Sequence, residues 1–256
     1  MKKIGFVLIL TGFLIFSGIT HADLVAYYSF DGNTYDLSGN GHDGTAYGGL
    51  SYEDGILGQA ASFDGLNDYI SIAHHDDFDM PNGMSISLWL YSEDFTDPGY
   101  GKRIISKRQN YGTSPGWILQ TYSDGTVRYQ GYLGGGINTN IATPSTSLYN
   151  WYHVVATYDN TTASMYLNGE LVDQHEYIGT ITTNDSPVII GQVQNFLWSN
   201  EYFDGLIDEL RIYDQALTSE EISQLYKPVP EPATIFILGT GLVSLAGLRR
   251  KLKKAN

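Results

Sequence analysis

The chain of 256 residues carries 14 Lys and Arg against 28 Asp and Glu, a formal net charge of −14 at pH 7, and it contains no cysteine. Its two hydrophobic ends hold Lys2, Lys3, Glu231 and five basic residues after position 248, which leaves 7 basic and 27 acidic residues in 23–228. Such an acidic region disfavours nucleic acid and anionic membrane surfaces as partners and is compatible with calcium and neutral glycans. The absence of cysteine excludes disulfides and thiol chemistry.

The first 22 residues have the pattern of a secretory signal peptide. Lys2 and Lys3 form a basic start, residues 4–19 are apolar, and small residues surround a predicted cleavage site between Ala22 and Asp23. We therefore expect an exported protein whose fold begins at residue 23.

Residues 23–228 contain short runs rich in β-branched and aromatic residues, separated by Gly, Asn, Asp and Ser clusters, which predicts strands joined by turns. Asn168-Gly169 predicts a type I′ hairpin turn, and a capping box of Thr218 and Glu221 predicts one short helix to Tyr226. Many strands with one terminal helix predict an all-β fold, a two-sheet antiparallel sandwich in a single domain. The predicted strands are Leu24–Phe30, Tyr69–Ile72, Ser85–Tyr91, Ile104–Lys107, Trp117–Tyr122, Val127–Tyr132, Trp151–Tyr158, Ala163–Leu167 and Val188–Gly191.

The segment 229–256 has the pattern of a sorting and membrane segment. Pro230-Glu231-Pro232 precedes an apolar run over 233–248, and a basic cluster follows. A helix over this run would be about 24 Å long, slightly short of a bilayer core, with the basic cluster on the cytoplasmic side. The segment resembles the PEP-CTERM sorting signal of Gram-negative bacteria, which implies processing by exosortase after transient anchoring in the inner membrane. A plain C-terminal transmembrane anchor is the alternative.

Six segments in order carry a second resemblance, which spans nearly all of residues 24–226. They are AYYSFDGNTYDLSGNGHDGT, GQAASFDGLNDYISI, MSISLWLYSE, NWYHVVATYD, SMYLNGELV and FDGLIDELRIYDQALTSEEISQLY. Together they resemble the LamG-like jelly-roll family of the concanavalin A-like lectin/glucanase superfamily. The resemblance implies a two-sheet jelly roll, often with bound calcium, but it does not imply one activity, because this fold supports lectins, adhesion modules and glucanases.

One carboxylate near the end of the domain is expected to need a partner. Strand alternation along 206–212 places Asp208 on the same face as three apolar residues, and a buried carboxylate requires a cation, hydrogen-bond donors or a proton. In related jelly rolls a calcium joins an early Asp/Asn loop to the last strand, so the resemblance implies Ca²⁺ bound by Asp31, Asn33 and Asp208. A metal-free Asp208 held by hydrogen bonds, with Arg211 as a candidate partner, is the alternative.

No catalytic residue is predicted. Glucanases of this superfamily alternate acidic residues on one strand, whereas Asp208 and Glu209 are adjacent and are expected to point to opposite faces. His153 lies in an apolar strand and is expected to be a core or interface histidine. The segment 74–77, His-His-Asp-Asp, contains transition-metal ligand types, but a solvated polar loop is favoured because the Cys/His spacing of metal sites is missing.

Aromatic residues supply candidates for sugar stacking. Trp89 and Trp151 lie in apolar strands and are expected in the core. Four other aromatic residues adjoin Gly-, Asn- or Ser-rich stretches and could form a stacking platform, with ordinary packing as the alternative. These four are Trp117, Tyr129, Tyr132 and Trp198.

The sequence therefore predicts a non-catalytic carbohydrate-binding or adhesion module that is exported to the cell surface or polysaccharide matrix of a Gram-negative bacterium. A glycan-active hydrolase or lyase, and a structural matrix protein without a glycan pocket, are the alternatives.

Overall fold

The computed structural model describes residues 22–96, 101–108, 114–135, 137–192 and 201–227. They form two antiparallel sheets, one 3-10 turn at Asp76–Phe78 and the helix α1 at Ser219–Tyr226. The strands are β1 (Leu24–Tyr28), β2 (Gly44–Tyr47), β3 (Ser51–Asp54), β4 (Gln59–Asp64), β5 (Tyr69–Ile72), β6 (Met84–Ser92), β7 (Lys102–Lys107), β8 (Gly116–Thr121), β9 (Val127–Gly134), β10 (Ile137–Asn138), β11 (Ile141–Ala142), β12 (Trp151–Tyr158), β13 (Thr162–Leu167), β14 (Glu170–Glu176), β15 (Val188–Ile190) and β16 (Asp204–Tyr213).

The strand order confirms the predicted two-sheet sandwich. The first sheet has the order β14-β13-β12-β6-β16-β4-β3, and β1 also pairs with β16. The second sheet has the order β10-β9-β8-β7-β15-β5-β2, and β11 also pairs with β9. Because strands that are adjacent in a sheet are mostly distant in sequence, the chain passes repeatedly between the sheets, as in a jelly roll.

Alternating side chains of both sheets fill the space between them. In β6 the side chains of Ile86, Leu88 and Leu90 enter this core, and in β12 those of Val154 and Ala156 do so. Each buried Ile, Leu or Val side chain contributes roughly 1.5–3 kcal/mol. The core therefore provides the stability that disulfides supply in many other exported domains.

The predicted turn and helix are confirmed at their expected positions. Asn168 and Gly169 have φ angles of 53° and 82° between β13 and β14, which is the type I′ arrangement. The Thr218 side chain and Glu221 form the capping box of α1. The helix packs on the outer face of the first sheet, where Ile222 joins a small apolar cluster with Val155.

Several strands were missed by the sequence prediction, and two of them are the edges of the first sheet. β3 (SYED) and β14 (ELVDQHE) are mostly exposed or half-buried, so they lack the apolar alternation that reveals a strand. Apart from Ala22, the predicted signal peptide lies outside the described residues, as does the segment 229–256 with Pro230, Glu231 and Pro232.

Candidate functional site

The structure removes two residues from the predicted stacking platform. Trp117 and Tyr129 are each about 1% exposed and belong to the core between the sheets, and the Tyr129 hydroxyl donates to Met84 Sδ at 3.2 Å. Neither ring can reach a ligand, which corrects the prediction: Gly-rich flanks here accompany tightly packed strands. Tyr132 is half-buried in β9 and remains a candidate, and Trp198 lies outside the described residues.

A different group of aromatic side chains occupies the outer face of the first sheet. In β6, Trp89 and Tyr91 alternate with the core residues and point outward, and in β12 Trp151 and His153 do the same. Trp151 pairs across the strands with Tyr91, and His153 pairs with Trp89. The four rings thus form a two-by-two array on the outer face, where Trp89 is buried as expected but Trp151 is only half-buried, so the expectation of a core position is wrong for Trp151. With Tyr226 and Tyr149 at its two ends, we call this array the aromatic patch.

Helix α1 covers one half of the aromatic patch. The ring of Tyr226 stacks on Trp89 with centroids 5.7 Å apart and on His153 with centroids 5.9 Å apart. Beneath it Trp89 is 9% exposed and His153 is 1% exposed. This half of the patch is therefore packed within the protein and cannot contact a ligand.

The other half of the aromatic patch is open to solvent. Tyr91 and Trp151 are partly exposed with ring centroids 5.5 Å apart, and Tyr149 meets Tyr91 edge to face at 6.2 Å. Tyr149 is 61% exposed and has φ of 61°, and its N–H donates to the Ser92 carbonyl at 2.9 Å. A left-handed backbone is costly for a bulky residue, so the surrounding contacts must hold Tyr149 in this conformation. This half of the patch therefore offers a fixed and accessible aromatic surface.

Carboxylates border the open half of the aromatic patch. Glu93 follows Tyr91 by two residues in the direction of β6, and its N–H donates to the carbonyl of Asp204, which starts β16. Burial, followed by the charges of Asp204 and Glu53, raises the pKa of Glu93. Carboxylates next to an aromatic surface can accept hydrogen bonds from hydroxyl groups of a ligand stacked on the rings.

His153 is a buried neutral histidine, as the sequence predicts. Its Nε2 lies 3.0 Å from Ser87 Oγ, and burial, followed by the charge of Arg211, lowers its pKa to about 4. The unfolded chain has an ordinary histidine pKa of about 6.5, so between these values only the unfolded state takes up the proton. The neutral, buried His153 therefore contributes fully to stability above the unfolded pKa. This contribution is lost as the pH falls toward the folded pKa.

We expect His153→Gln to reveal this effect in urea unfolding at a series of pH values. The stability advantage of the wild type over the variant should shrink by on the order of 2 kcal/mol from neutral pH to about pH 4.5. Asp208 makes a pH-dependent contribution of the opposite sign to the free energy of unfolding. Both proteins contain Asp208, so this contribution cancels when their stabilities are compared. An advantage that stays constant with pH would contradict a neutral buried His153.

Asp208 lies on a different face of the first sheet from the one predicted. A β-bulge interrupts β16 after Asp208, and Glu209 has φ of 53°. Because the bulge shifts the alternation, Asp208 pairs with outward-facing Trp89, while Leu210 and Ile212 enter the core on the other face. The expectation that Asp208 shares a face with Leu210 and Ile212 is therefore wrong.

The Asp208 carboxylate is covered by the turn that joins β3 to β4. Its Oδ2 accepts the N–H groups of Ile56 and Leu57 at 2.8 and 3.0 Å, and the residue is fully buried. Its Oδ1 is buried without a hydrogen-bond partner. Burial outweighs the N–H groups and raises the pKa of Asp208 to about 7. This oxygen is suited to a cation or to a proton.

Glu209 shares the outer face with Asp208, which corrects the prediction that their side chains point to opposite faces. Its carboxylate accepts a hydrogen bond from the Tyr27 hydroxyl at 2.8 Å and pairs with the Arg211 guanidinium at 2.5 Å. Arg211 therefore pairs with Glu209 and not with Asp208, and the hydrogen bonds of Asp208 come from Ile56 and Leu57 instead. With exposures of 0% and 4%, Asp208 and Glu209 are closed to a polymeric substrate.

The early loop approaches the same turn from another side. Asp31 Oδ1 accepts the N–H of Gln59 at 2.8 Å, at the end of the turn that also covers Asp208. Asn33 Oδ1 accepts the Tyr35 N–H at 2.9 Å, so its amide oxygen already serves the local turn. Asp208 and Asp31 thus both hold the turn between β3 and β4, Asp208 through Ile56 and Leu57 and Asp31 through Gln59.

Comparison with protein families agrees with this architecture. Residues 63–223 match the model described as the concanavalin A-like lectin/glucanases superfamily, which is more than half of the chain. The chain belongs to the concanavalin A-like lectin/glucanases superfamily. Residues 228–251 of this superfamily member match the PEP-CTERM protein-sorting motif, which implies export from the cytoplasm and processing by exosortase. Of the helices that the structure describes, none is long and apolar enough to cross a membrane.

Solved structures include binding domains with the same fold as this concanavalin A-like chain. Domain 4 of AbnA, a GH43 extracellular arabinanase from Geobacillus stearothermophilus, in complex with arabinotriose, is 25% identical with a TM-score of 0.65 over 81% of this chain and 100% of that one. The binding domain of Paraclostridial Mosquitocidal Protein 1 is 22% identical with a TM-score of 0.67 over 80% of this chain. The chain spans about half of that toxin domain, at 52% of its length. No curated protein matches significantly.

Sequence alternation could have located the aromatic patch. Tyr152, Val154 and Ala156 form one face of β12, and Trp151 and His153 form the other. The sequence does not show which of two faces with aromatic residues meets the second sheet, so both tryptophans of this patch were assigned to the core.

Proposed function

We propose that this protein is a non-catalytic glycan-binding module of the cell surface or extracellular polysaccharide matrix of a Gram-negative bacterium. Exosortase releases it from transient inner-membrane anchoring at Pro230-Glu231-Pro232. The open half of the aromatic patch holds the glycan, with Tyr149 and Trp151 stacking on sugar rings and the carboxylates of Glu93 and Asp204 accepting hydroxyl hydrogen bonds. The observation that carries this proposal is the exposed Tyr149, held in a left-handed backbone conformation against Tyr91.

Charge selects the class of glycan. Residues 23–228 carry 7 basic and 27 acidic residues, and the open half of the patch is bordered by carboxylates. A polymer of uronic acids or sulfated sugars would be repelled, whereas neutral sugars bring only hydroxyl donors and apolar ring faces. The similar arabinanase domain was solved with arabinotriose, a neutral sugar, which supports the same class for this chain.

The adjacent carboxylates of β16 are the first candidates for a catalytic pair, and a sugar substrate cannot reach them. Asp208 and Glu209 are the two adjacent carboxylates on one face of β16, but both are buried and engaged by Ile56, Leu57, Tyr27 and Arg211. Glycoside hydrolysis requires two carboxyl groups that flank an accessible sugar bond. Asp208 and Glu209 therefore cannot serve as that catalytic pair.

We expect the purified full-length protein, in a non-glycosidic detergent, to bind immobilised neutral polysaccharides such as arabinan and not alginate. Tyr149→Ala and Trp151→Ala should each weaken binding about tenfold, since loss of one stacked ring costs about 1.4 kcal/mol. Tyr35→Ala is the matched control, because Tyr35 is 62% exposed and lies outside the patch. Absence of binding to every neutral glycan, or full binding by both patch variants, would refute the proposal.

We also propose a structural calcium ion beside the turn between β3 and β4. Asp208 Oδ1 and Asp31 would supply carboxylate ligands, and Asn33 would supply its amide oxygen. The buried Asp208 Oδ1, which has no partner among the described residues, supports this assignment.

A further inference from the structure

Three side chains from two distant segments converge on one point outside the regions already described. His42 lies in the loop between β1 and β2, and His75 and Asp77 lie at the 3-10 turn before β6. Asp77 Oδ2 is 3.0 Å from His42 Nε2 and 3.1 Å from His75 Nδ1. The three potential ligand atoms all lie within 4.8 Å of one another, and no other His, Cys, Asp or Glu group in the described chain does so. We infer that His42, His75 and Asp77 bind a zinc ion.

His75 Nδ1 already faces the Asp77 carboxylate. The Asp77 N–H lies 3.3 Å from this nitrogen and Asp77 Oδ2 lies 3.1 Å from it. A neutral ring with its proton on Nδ1 donates to Oδ2, whereas the other neutral tautomer presents a lone pair at Nδ1 that can bind a metal ion beside Oδ2. Zinc binding therefore uses the second tautomer, in which the ion takes the place of the hydrogen bond.

The spacing of the ligand atoms fits zinc. Bonds of about 2.0–2.2 Å to nitrogen and oxygen in a tetrahedral site place ligand atoms about 3.3–3.6 Å apart. The observed separations of 3.0 and 3.1 Å are close to this value, so small side-chain movements would complete the site. Two imidazoles and one carboxylate are borderline ligands that suit Zn²⁺ and not Ca²⁺, which prefers oxygen.

The fold holds His42 in place before any metal arrives. Its N–H donates to Asp36 Oδ2 at 3.0 Å, and its carbonyl accepts the Tyr28 hydroxyl at 2.6 Å. Its ring packs against Phe78 at 4.8 Å, and the side chain is 7% exposed. A ligand oriented by other contacts loses little freedom on binding, which raises metal affinity.

The other two ligands face the surface, so an ion can enter. The side chains of His75 and Asp77 are 56% and 46% exposed, and Asp77 lines a surface cleft together with Asp23, Asp76 and Asp214. These carboxylates attract cations to the cleft. Three protein ligands leave the fourth position of a tetrahedral zinc open toward solvent or a bound ligand.

The experiment is a zinc titration of the full-length chain, free of any affinity tag and treated with EDTA, by competition with a chromophoric chelator. We expect one strong site per chain, a higher melting temperature with Zn²⁺, and a tetrahedral visible spectrum with Co²⁺. His75→Ala and Asp77→Asn, at partly exposed positions, should weaken binding at least about tenfold and remove the thermal response. His175→Ala is the matched control, since His175 lies in an exposed pair with Asp173 at 3.2 Å.

Equal zinc binding by the wild type, His75→Ala and Asp77→Asn would overturn the inference. A wild type that binds no zinc would also overturn it. Asp208→Asn should leave zinc binding unchanged, which separates this site from the proposed calcium site.

Discussion

Glu201→Gln is expected to destabilise the protein by about 3–5 kcal/mol. Arg103 Nη2 and Glu201 Oε2 lie 2.8 Å apart, and the two side chains are 1% and 0% exposed. The pair joins β7 to the segment that leads into β16, where the Arg103 N–H also donates to the Glu201 carbonyl. Removing the negative charge takes a buried ionic partner away from the Arg103 guanidinium, and breaking a buried pair on one side costs far more than the intact pair contributes.

A second cation increases this cost. Arg108 is 4% exposed, and burial, followed by the charge of Arg103, lowers its pKa to about 10. Without the charge of Glu201, less negative charge would offset the repulsion between Arg103 and Arg108 in this buried region. The substituted amide keeps the size of the side chain, so the loss reports charge and not a cavity.

Thermal unfolding followed by circular dichroism would measure the effect of Glu201→Gln, with an expected fall of about 10 °C in melting temperature. Asp124→Asn is the control, because Asp124 pairs with Arg128 at 2.6 Å while 51% exposed. The control should cost less than about 1 kcal/mol. Similar losses of stability in Glu201→Gln and Asp124→Asn would show that burial does not determine the cost of removing the Glu201 charge.

Calcium is expected to raise the free energy of unfolding by about 2.7 kcal/mol at a hundredfold excess over its dissociation constant. For a domain of this size the melting temperature should rise by about 5–10 °C. The reason is the Asp208 carboxylate, whose Oδ1 is buried without a partner and whose pKa is raised to about 7 by burial. An adjacent cation would satisfy this oxygen and stabilise the ionised form.

Asp208→Asn should abolish the calcium response and EDTA should then have no effect on melting. At neutral pH and without calcium, the variant should be at least as stable as the wild type, because it removes the cost of ionising a buried carboxylate. Asp77→Asn is the control and should retain the calcium response. An unchanged melting temperature of the wild type with either calcium or EDTA would count against the calcium proposal.

The fold could be predicted because its signals are local. The Asn168-Gly169 turn and the Thr218–Glu221 capping box each depend on a few neighbouring residues, and the structure shows both where they were expected. The hairpin turn implied a strand after it, but the extent of β14 could not be predicted, because its residues are mostly exposed and show no apolar alternation.

The candidate site could be predicted only in part, because it depends on contacts between distant segments. The bulge at Glu209 reverses the alternation along β16, and nothing in the letters Asp-Glu-Leu indicates a left-handed residue there. The burial of Trp89 depends on the ring of Tyr226, more than a hundred residues later in the chain. His42 joins His75 only in the folded protein, so the segment 74–77 alone indicated a solvated loop.

The polar edges of the first sheet have a consequence for a protein crowded at a cell surface. An unpaired edge strand exposes free N–H and C=O groups, onto which a strand of another molecule can add. β3 ends in Glu53 and Asp54, and β14 carries Glu170, Asp173 and Glu176. Two copies that approached edge to edge would bring these carboxylates together, so their repulsion opposes strand addition and the aggregation that follows from it.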